Sequence, residues 1–490
     1  MTQPRCSCGS ARDTGAPPLT GKAPEVYPGP GGNAYRSDLY TVEVRDGSAW
    51  KTSYTYKVAR LSLCHGWHRG NHPSVNFTTF GVSDAVCVRI AKLAGPIGAV
   101  EISPKAKAIA VDIRDGKATF LLGPNDKAWV TIDHDDAHPL FIFADPPKPA
   151  IPAHAEHFGP GVHAIGQLHA ASSGRTIYLD GGAWVKGNID IRGKSNVTIM
   201  GPGVLSGELW TGEAMAGKPF AEVRKHMMIL GDPEDTQVSG NRLEGVTIVN
   251  SPSYNTFYGL QQICGAKLIS PWVGSTDGFY LSPNPHETVF VDQCFAFVGD
   301  DVFFPRDNYR GNMVFRNSFV SSSNNNIFCM SYWANSLAHD YTVLARNIDI
   351  KVCPENAVFQ CVIDGHTSDV GVKNHTYEDI RIEGDLNLNC RLFWIENRQY
   401  PWEDDGSPCN GNSYNMRFRN VRVGGRQNMI SVLKGKDAGN GHCDYQFENL
   451  TIGGVTVTEA NKSVYFAING YARNIRFHEH LRAPPADRGL

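Results

Sequence analysis

No stretch of the chain approaches the roughly twenty consecutive apolar residues that a membrane-spanning helix needs, and no membrane association is expected. An excess of basic charge is also missing. Lys and Arg number 46 against 49 Asp and Glu, a formal net charge of -3, which leaves no field to gather nucleic acid. The first twenty residues lack the charged start and apolar core of a signal peptide, so export is not written there. Five N-x-S/T sequons, at Asn76, Asn196, Asn374, Asn449 and Asn461, lean slightly toward an extracellular protein. The twelve cysteines are scattered singly, with no CxxC pairs of zinc spacing. Buried thiols and a few disulfides fit that scatter equally well. Cys64, His65 and His68, and the run Asp133-His134-Asp135-Asp136, hint at metal ligands, but each lies in a loop and lacks a complete set. No metal and no cofactor are expected.

Charged residues are only 19% of the chain, while glycine (50), proline (29) and aromatics (10%) are plentiful, a composition of short strands joined by turns. An all-β fold follows. Residues 1–36 read as a tail. Residues 37–145 carry short β segments at 39–44, 52–58, 86–90, 99–102, 118–122, 128–132 and 140–143, with turn signals such as Arg114-Asp115-Gly116, as in an antiparallel β-sandwich. A proline-rich linker spans 146–155, where missing amide hydrogens and fixed φ stop a sheet.

From 156 to 478 a looser repeat begins, in which a turn residue precedes a β-branched run: at 196–199, 245–249, 266–269, 288–291, 312–315, 341–344, 378–382, 416–418, 448–452 and 473–477. Near neighbours are spaced by about 21 to 25 residues, one coil of a right-handed parallel β-helix. Helix-period stretches are almost absent there, 220–228 being the exception, and 479–490 reads as a C-terminal tail.

Within this repeat, Gly274-Ser275-Thr276-Asp277-Gly278-Phe279 is followed by Val298-Gly299-Asp300-Asp301-Val302-Phe303, with Asp300 placed 23 residues after Asp277. One coil length brings the three carboxylates from adjacent rungs onto one flank. Glycoside hydrolysis needs this inventory: a protonated acid for the leaving oxygen and an ionised carboxylate to activate water or attack carbon. Crowding of like charges raises the pKa of one member and keeps it protonated. A single Asp-Gly is ordinarily a turn; the pairing one coil apart is what points to chemistry. Inverting enzymes hold their carboxyls about 6.5–9.5 Å apart and retaining ones about 5–5.5 Å. Rungs are only about 4.8 Å apart, but side chains that diverge across a groove can widen the gap, so the carboxyl separation tests the mechanism.

The segments Phe158-Gly159-Pro160-Gly161-Val162-His163, Ile177-Tyr178-Leu179-Asp180-Gly181-Gly182-Ala183-Trp184-Val185-Lys186-Gly187 and Gly201-Pro202-Gly203-Val204-Leu205-Ser206-Gly207 resemble the first coils of the clan of dextranases, isopullulanase and polygalacturonases. Thr276-Asp277-Gly278 and Gly299-Asp300-Asp301 resemble its catalytic motifs, and the leading sandwich resembles glycoside hydrolase family 49, the dextranase and isopullulanase group. The resemblance implies an inverting, endo-acting hydrolase of a polysaccharide such as an α-glucan, with Asp300 as acid and Asp277 and Asp301 positioning water. The polygalacturonase signatures Gly-His-Gly and Arg-Ile-Lys are missing, Asn324-Asn325-Asn326-Ile327-Phe328 standing in place of the first, which disfavours pectin.

Trp272, Tyr280, Trp333, Trp394, Tyr400 and Trp402 fall in or near the same flank, where aromatic faces suit sugar rings as well as core packing. Arg391, Glu396 and Arg398 flank Trp394 as candidate hydrogen-bonding partners, or as a solvated ionic patch. His286 is placed to tune an acid, or is a loop histidine. The substrate-binding set expected is Tyr280, Trp333, Trp394, Glu396, Arg398 and Trp272. Two competing functions remain open: a lyase or other uronate-active enzyme, and a carbohydrate-binding solenoid without catalysis.

Overall fold

The computed structural model describes residues 23–45, 49–60, 72–170, 172–210, 228–229, 237–272, 274–282, 287–305, 310–331, 340–351, 355–363, 371–399, 406 and 408–479. The chain falls into two compact units: Met1–Asp232 with Val238–Thr276 and Gln293–Gly299, and Pro233–Gln237 with Asp277–Asp292 and Asp300–Leu490. Nearly every described element is a strand, antiparallel sheets coming first and parallel strands of a β-helix after them. No described helix is long and apolar enough to cross a membrane.

In the first unit, alternation of inward apolar and outward polar residues builds two facing sheets. One holds Tyr40–Arg45, Lys51–Ser53, Val86–Lys92, Asp112–Arg114 and Lys117–Leu122; the other holds Ser74–Gly81, Val100–Ser103, Asp126–Ile132 and Asp135–Asp145, edged by Glu25–Val26 and Tyr56–Ala59. Val42, Val88, Ile90, Phe120, Val130 and Ile142 meet between them, fully buried. The stretch read as one strand at 52–58 is two, and they belong to different sheets. Ser74–Gly81 was not legible as a strand. All eight of its residues are buried, so Asn76, Thr78 and Thr79 occupy positions where alternation would suggest a loop, and each is tied by a hydrogen bond to Ser37, Ser53 and Asp145 respectively. Asn76, one of the sequons, is wholly inaccessible. Residues 23–36, read as tail, are packed: Glu25–Val26 pairs with Phe80–Gly81, and Tyr35 stacks on Trp184 at 4.0 Å.

Asp133 and His134 both adopt positive φ and close a two-residue hairpin. Asp133 accepts from the backbone of Gly98 and Ala99 and from Lys92, so the acidic run is a turn with its own partners. Cys64, His65 and His68 lie outside the described residues, as does the apolar stretch at 220–227. Cys87 is disulfide-bonded, and the other described cysteines are free thiols.

Parallel rungs of the first unit begin at Glu156–Phe158. Ile177, Ile199, Leu243 and Ile263 come into register on successive rungs, as do Val185, Leu205, Ile248 and Leu268, making two apolar columns without exposure. The sandwich packs on this stack through aromatic rings, Phe141 and Phe143 against Phe295 at 4.9 and 5.1 Å and Trp129 against Phe297 at 4.7 Å. Amid these apolar groups, the unexposed ammonium of Lys267 meets the carboxylate of Asp145 and the carbonyl of Gly245.

The second unit shows why the repeat spacing matters. Strands β1 (Phe279–Ser282), β2 (Phe303–Pro305), β3 (Phe328–Ser331), β4 (Glu355–Ile363) and β5 (Asn389–Asn397) pair in parallel, each with the next. Phe279, Phe303, Phe328, Phe359 and Phe393 stack face to face, with centroids 5.5, 5.1, 5.2 and 4.9 Å apart. A facing column of Tyr377, Phe418, Phe447 and Phe477 stacks at 5.1, 5.1 and 4.7 Å and meets the first edge-on. Each wholly buried ring contributes about 1.5–3 kcal/mol by burial and each stacked pair about 0.5–1.5 kcal/mol more.

The Lys267–Asp145 pair yields a prediction about stability. Lys267→Met leaves Asp145 buried without its counter-charge and is expected to destabilise the fold by about 3–5 kcal/mol, whereas the Lys267→Met, Asp145→Leu double variant recovers most of that loss. Thermal unfolding of the four proteins measures it; a double variant as unstable as the single one would contradict it.

Candidate active site

The residues just before the phenylalanine column include two of the three candidate aspartates. Asp277, Asp301, Asn326, Ala357 and Arg391 each stand two places before a column phenylalanine, and the rung hydrogen bonds continue through them: Gly278 N to Asp301 O, Val302 N to Asn326 O and Ile327 N to Ala357 O. Gly278 is required by this approach, since a Cβ there would lie 2.6 Å from Val302 O. In the first unit, the residues that lead into the aspartates are tied to each other: Thr276 accepts from Gly299 N at 2.9 Å and donates to Ser270 O.

Asp277, Asp300 and Asp301 come together, one carboxylate oxygen of each lying within 4.8 Å of the others. The side chains do not diverge across a groove to widen that gap; they converge. Asp277 and Asp301 are buried, with 6% and 5% exposure, and Asp300 is half-buried. Burial, reinforced by the neighbouring charge of Asp300, pushes the Asp301 carboxyl up to about 8, against hydrogen bonds from Asn326 and Cys329 that favour its ionised form. The Asp300–Asp301 pair therefore retains a proton.

The sequence marked Asn324-Asn325-Asn326 only as a departure from the polygalacturonase signature, and not as the amides that hold this cluster. Asn326 donates to Asp301 Oδ1 from its backbone (3.0 Å) and its side chain (2.8 Å), while its own Oδ1 accepts from Ala357 N, which fixes the amide's orientation. Asn325 Nδ2 donates to Asp300 at 2.5 Å, and Asn356 donates in turn to Asn325. Ser322 Oγ donates to Asp300 O and accepts from the backbone of Asn324 and Asn325, shaping the turn that aims them. The signal was present: Asn325 follows Asp300 by 25 residues, one more coil.

A cluster of three carboxylates is also a possible cation site, and among the described residues it is the grouping of acidic, His or Cys side chains that suits one. Hard cations want six or more oxygens. Here the nearest side-chain amides turn N–H donors toward the carboxylates, and their oxygens are engaged elsewhere. The donor set favours protons over a metal ion.

Of the expected substrate residues, Tyr280 is half-buried on β1 and stacks on Phe304 at 4.9 Å. Trp394, Glu396 and Arg398 form a group of their own: the indole N–H donates to Glu396 at 3.0 Å, Arg398 pairs with Glu396 at 3.8 Å, and Arg391 lies over the Trp394 ring at 5.6 Å. They follow Asp301 by three rungs, a displacement of about 14 Å at the strand spacing, and the fold does not bring them to the carboxylates. Trp272 is a correction. It is 2% exposed and its indole donates to His72 O at 2.6 Å, so it packs the coil onto the sandwich and offers no face to a sugar. Trp333, Tyr400, Trp402 and His286 lie outside the described residues.

The raised Asp301 couples stability to pH. A carboxyl whose folded pKa lies above its unfolded value of about 4 stabilises the fold fully below that value and loses the contribution as pH rises through about 8. Asp301→Asn, which cannot ionise, is expected to gain melting temperature relative to the parent steadily between about pH 4 and pH 8. Melting curves across that range check it, and a pH-independent difference would contradict it.

No family model matches the chain. It is 28% identical over 204 residues to a dextranase of Talaromyces minioluteus, a match that covers 37% of this chain and 32% of that protein. Among solved structures, Dex49A from Penicillium minioluteum aligns over 92% of this chain and 96% of its own with a TM-score of 0.59 at 17% identity. A family 28 exopolygalacturonase of Yersinia enterocolitica covers 85% of this chain with a TM-score of 0.47 at 13% identity. The chain is thus similar in sequence to a dextranase across about a third of that protein's length, and it shares the fold of Dex49A.

Proposed function

We propose that the protein is a dextranase-like glycoside hydrolase that cleaves an α-glucan within its chain and inverts the anomeric carbon. The observation that carries this reading is the convergence of Asp277, Asp300 and Asp301 from adjacent rungs within 4.8 Å, with burial holding a proton in the cluster. A proton donor and ionised acceptors side by side are the machinery of acid and base catalysis at a glycosidic bond.

The more exposed Asp300 is the member able to reach a leaving oxygen and is assigned as acid, its proton drawn from the pair it forms with Asp301. A water donating to two carboxylates at once spans about 4.5 Å between its acceptors, and carboxylate oxygens of Asp277 and Asp301 within 4.8 Å of each other support their sharing one. A second reading comes from the same distance: carboxyls this close suit direct attack and retention better than the about 6.5–9.5 Å usual for inversion. Polymeric substrate and the disulfide at Cys87 favour export from the cell.

Reducing-sugar release is expected from dextran or pullulan and not from uronic polymers. Asp277→Asn, Asp300→Asn and Asp301→Asn should each lower it by at least about 10²-fold. On an aryl glucoside with a good leaving group, Asp300→Asn alone should keep most of its activity, because that bond needs little protonation. If Asp301→Asn is the variant spared, the acid is Asp301. Proton NMR of the first product should show the anomer opposite to the substrate linkage; the same anomer establishes retention, and full activity in any of the three variants removes the site.

A further inference from the structure

One corner of the coil is built differently along the chain. In the first unit it is Gly201, Gly245 and Gly265, at φ of 117°, 75° and 63°, followed by Gln293 at 53°. The registers place these glycines on successive rungs, directly after Met200, Glu244 and Cys264. In the second unit the residues at the same sequence position are Asn317, Asn347, Asp379, Asn420 and Asn449, with φ between 52° and 56°. There Asn347 donates to Asn317, Asn420 to Asp379 and Asn449 to Asn420, each at 2.8 Å. Asparagine therefore adopts this corner readily, as its short polar side chain allows.

Two of the glycines have local reasons. A Cβ on Gly201 would lie 2.1 Å from Leu179 O, and one on Gly245 would lie 3.3 Å from Gly201 O. Gly265 has none, for its nearest atoms would be 3.8 Å away, an ordinary contact. What its missing side chain leaves is space: a cavity of about 330 Å³ floored by the three glycines and walled by Tyr27 and the prolines of the 146–149 segment.

Asn125, Glu244, Gln262 and Gln293 line that space with side chains that make no hydrogen bond or ion pair with another described side chain, beside Asp145, which Lys267 and Thr79 already engage. The Tyr27 hydroxyl is buried and also without a hydrogen-bond partner. The cation at the cavity, Lys148, is occupied by Asp180 at 2.8 Å and Glu25 at 3.7 Å. An anion would find no free positive charge, and an apolar ligand would strand the amides and the carboxylate. A divalent cation needs six or more oxygens and would meet one unpaired carboxylate. A neutral sugar ring satisfies all of these groups, its hydroxyls both donating and accepting while its C–H faces lie against Tyr27 and the prolines.

We propose that this cavity is a saccharide-binding site built from none of the aspartate cluster, with room for about one or two rings. It seats a neutral sugar between the glycine corner and the proline wall, with Glu244, Gln262 and Gln293 as hydrogen-bonding partners. The choice of α-glucosides as probes rests on the function proposed above; the site itself does not.

Calorimetric titration of the full-length Asp300→Asn protein with glucose, isomaltose and maltose tests it. Adding Gly265→Asn, which restores the corner residue used in the second unit, is expected to abolish one equivalent of bound sugar. Adding Gln262→Leu instead is expected to weaken that equivalent at least tenfold; melting curves and circular dichroism confirm that both variants fold. In the otherwise unaltered protein, Gly265→Asn should leave hydrolysis of a short soluble glucan within about twofold of the parent. Binding of none of the three sugars, or titrations unchanged by both substitutions, overturns the site. A parent enzyme that hydrolyses no glucan defeats the proposed function instead, and the loss of a sugar equivalent on Gly265→Asn still upholds the cavity.

Discussion

Everything in the coil depends on parallel strands stacking in register at about 4.8 Å. That spacing lies within the roughly 4.5–7 Å centroid separation that offset-stacked rings prefer, which is why Phe279, Phe303, Phe328, Phe359 and Phe393 can lie face to face along one row. Any two residues one coil apart become neighbours, whatever their chemistry. Apolar rows release free energy by this rule. A row that contains carboxylates concentrates charge in a desolvated strip, and charge there must find partners.

The aspartate cluster is the place where that conflict is sharpest. Asp277 and Asp301 occupy the buried positions beside the phenylalanine row, where a solenoid would ordinarily set an apolar or small residue, as it does with Ala357. Asn326 and Asn325 meet the conflict with three donated hydrogen bonds, and the remainder appears as a proton held by the Asp300–Asp301 pair. The amides lie on the rung that follows the aspartates and are themselves held by Asn356 and Ala357 on the rung beyond. The polar strip is thus fixed by the same stacking that makes it unfavourable.

In the first unit the stacking rule serves a different end. The outer face of the rungs is covered by a sandwich whose facing side is aromatic and buried, and the ion pair of Lys267 with Asp145 ties the layers together. Where the two layers part at the glycine corner, a cavity remains. The same corner in the second unit is closed by an amide ladder.

The repeat itself was legible in the sequence, because a coil of fixed length imposes its period on β-branched runs, and every run read between 196 and 477 lies on a parallel strand or the turn leading into one. The aspartate trio was legible for the same reason, one coil separating Asp277 from Asp300. The amides one coil further on were equally accessible to that arithmetic, but Asn in a run of Ser and Asn reads as a turn until its partner is known. Other features had no trace in the pattern. Ser74–Gly81 is covered on both faces, which erases alternation, and Trp272 looks like any exposed aromatic until a second layer is seen to cover it. Whether three carboxylates converge or diverge was likewise decided by side-chain direction at a bend, a property that period and spacing do not encode. Local periodicity follows from the backbone of a single coil, so the sequence alone determined it; burial, partners and proton placement arise from layers brought together by distant parts of the chain, and only the tertiary structure decided them.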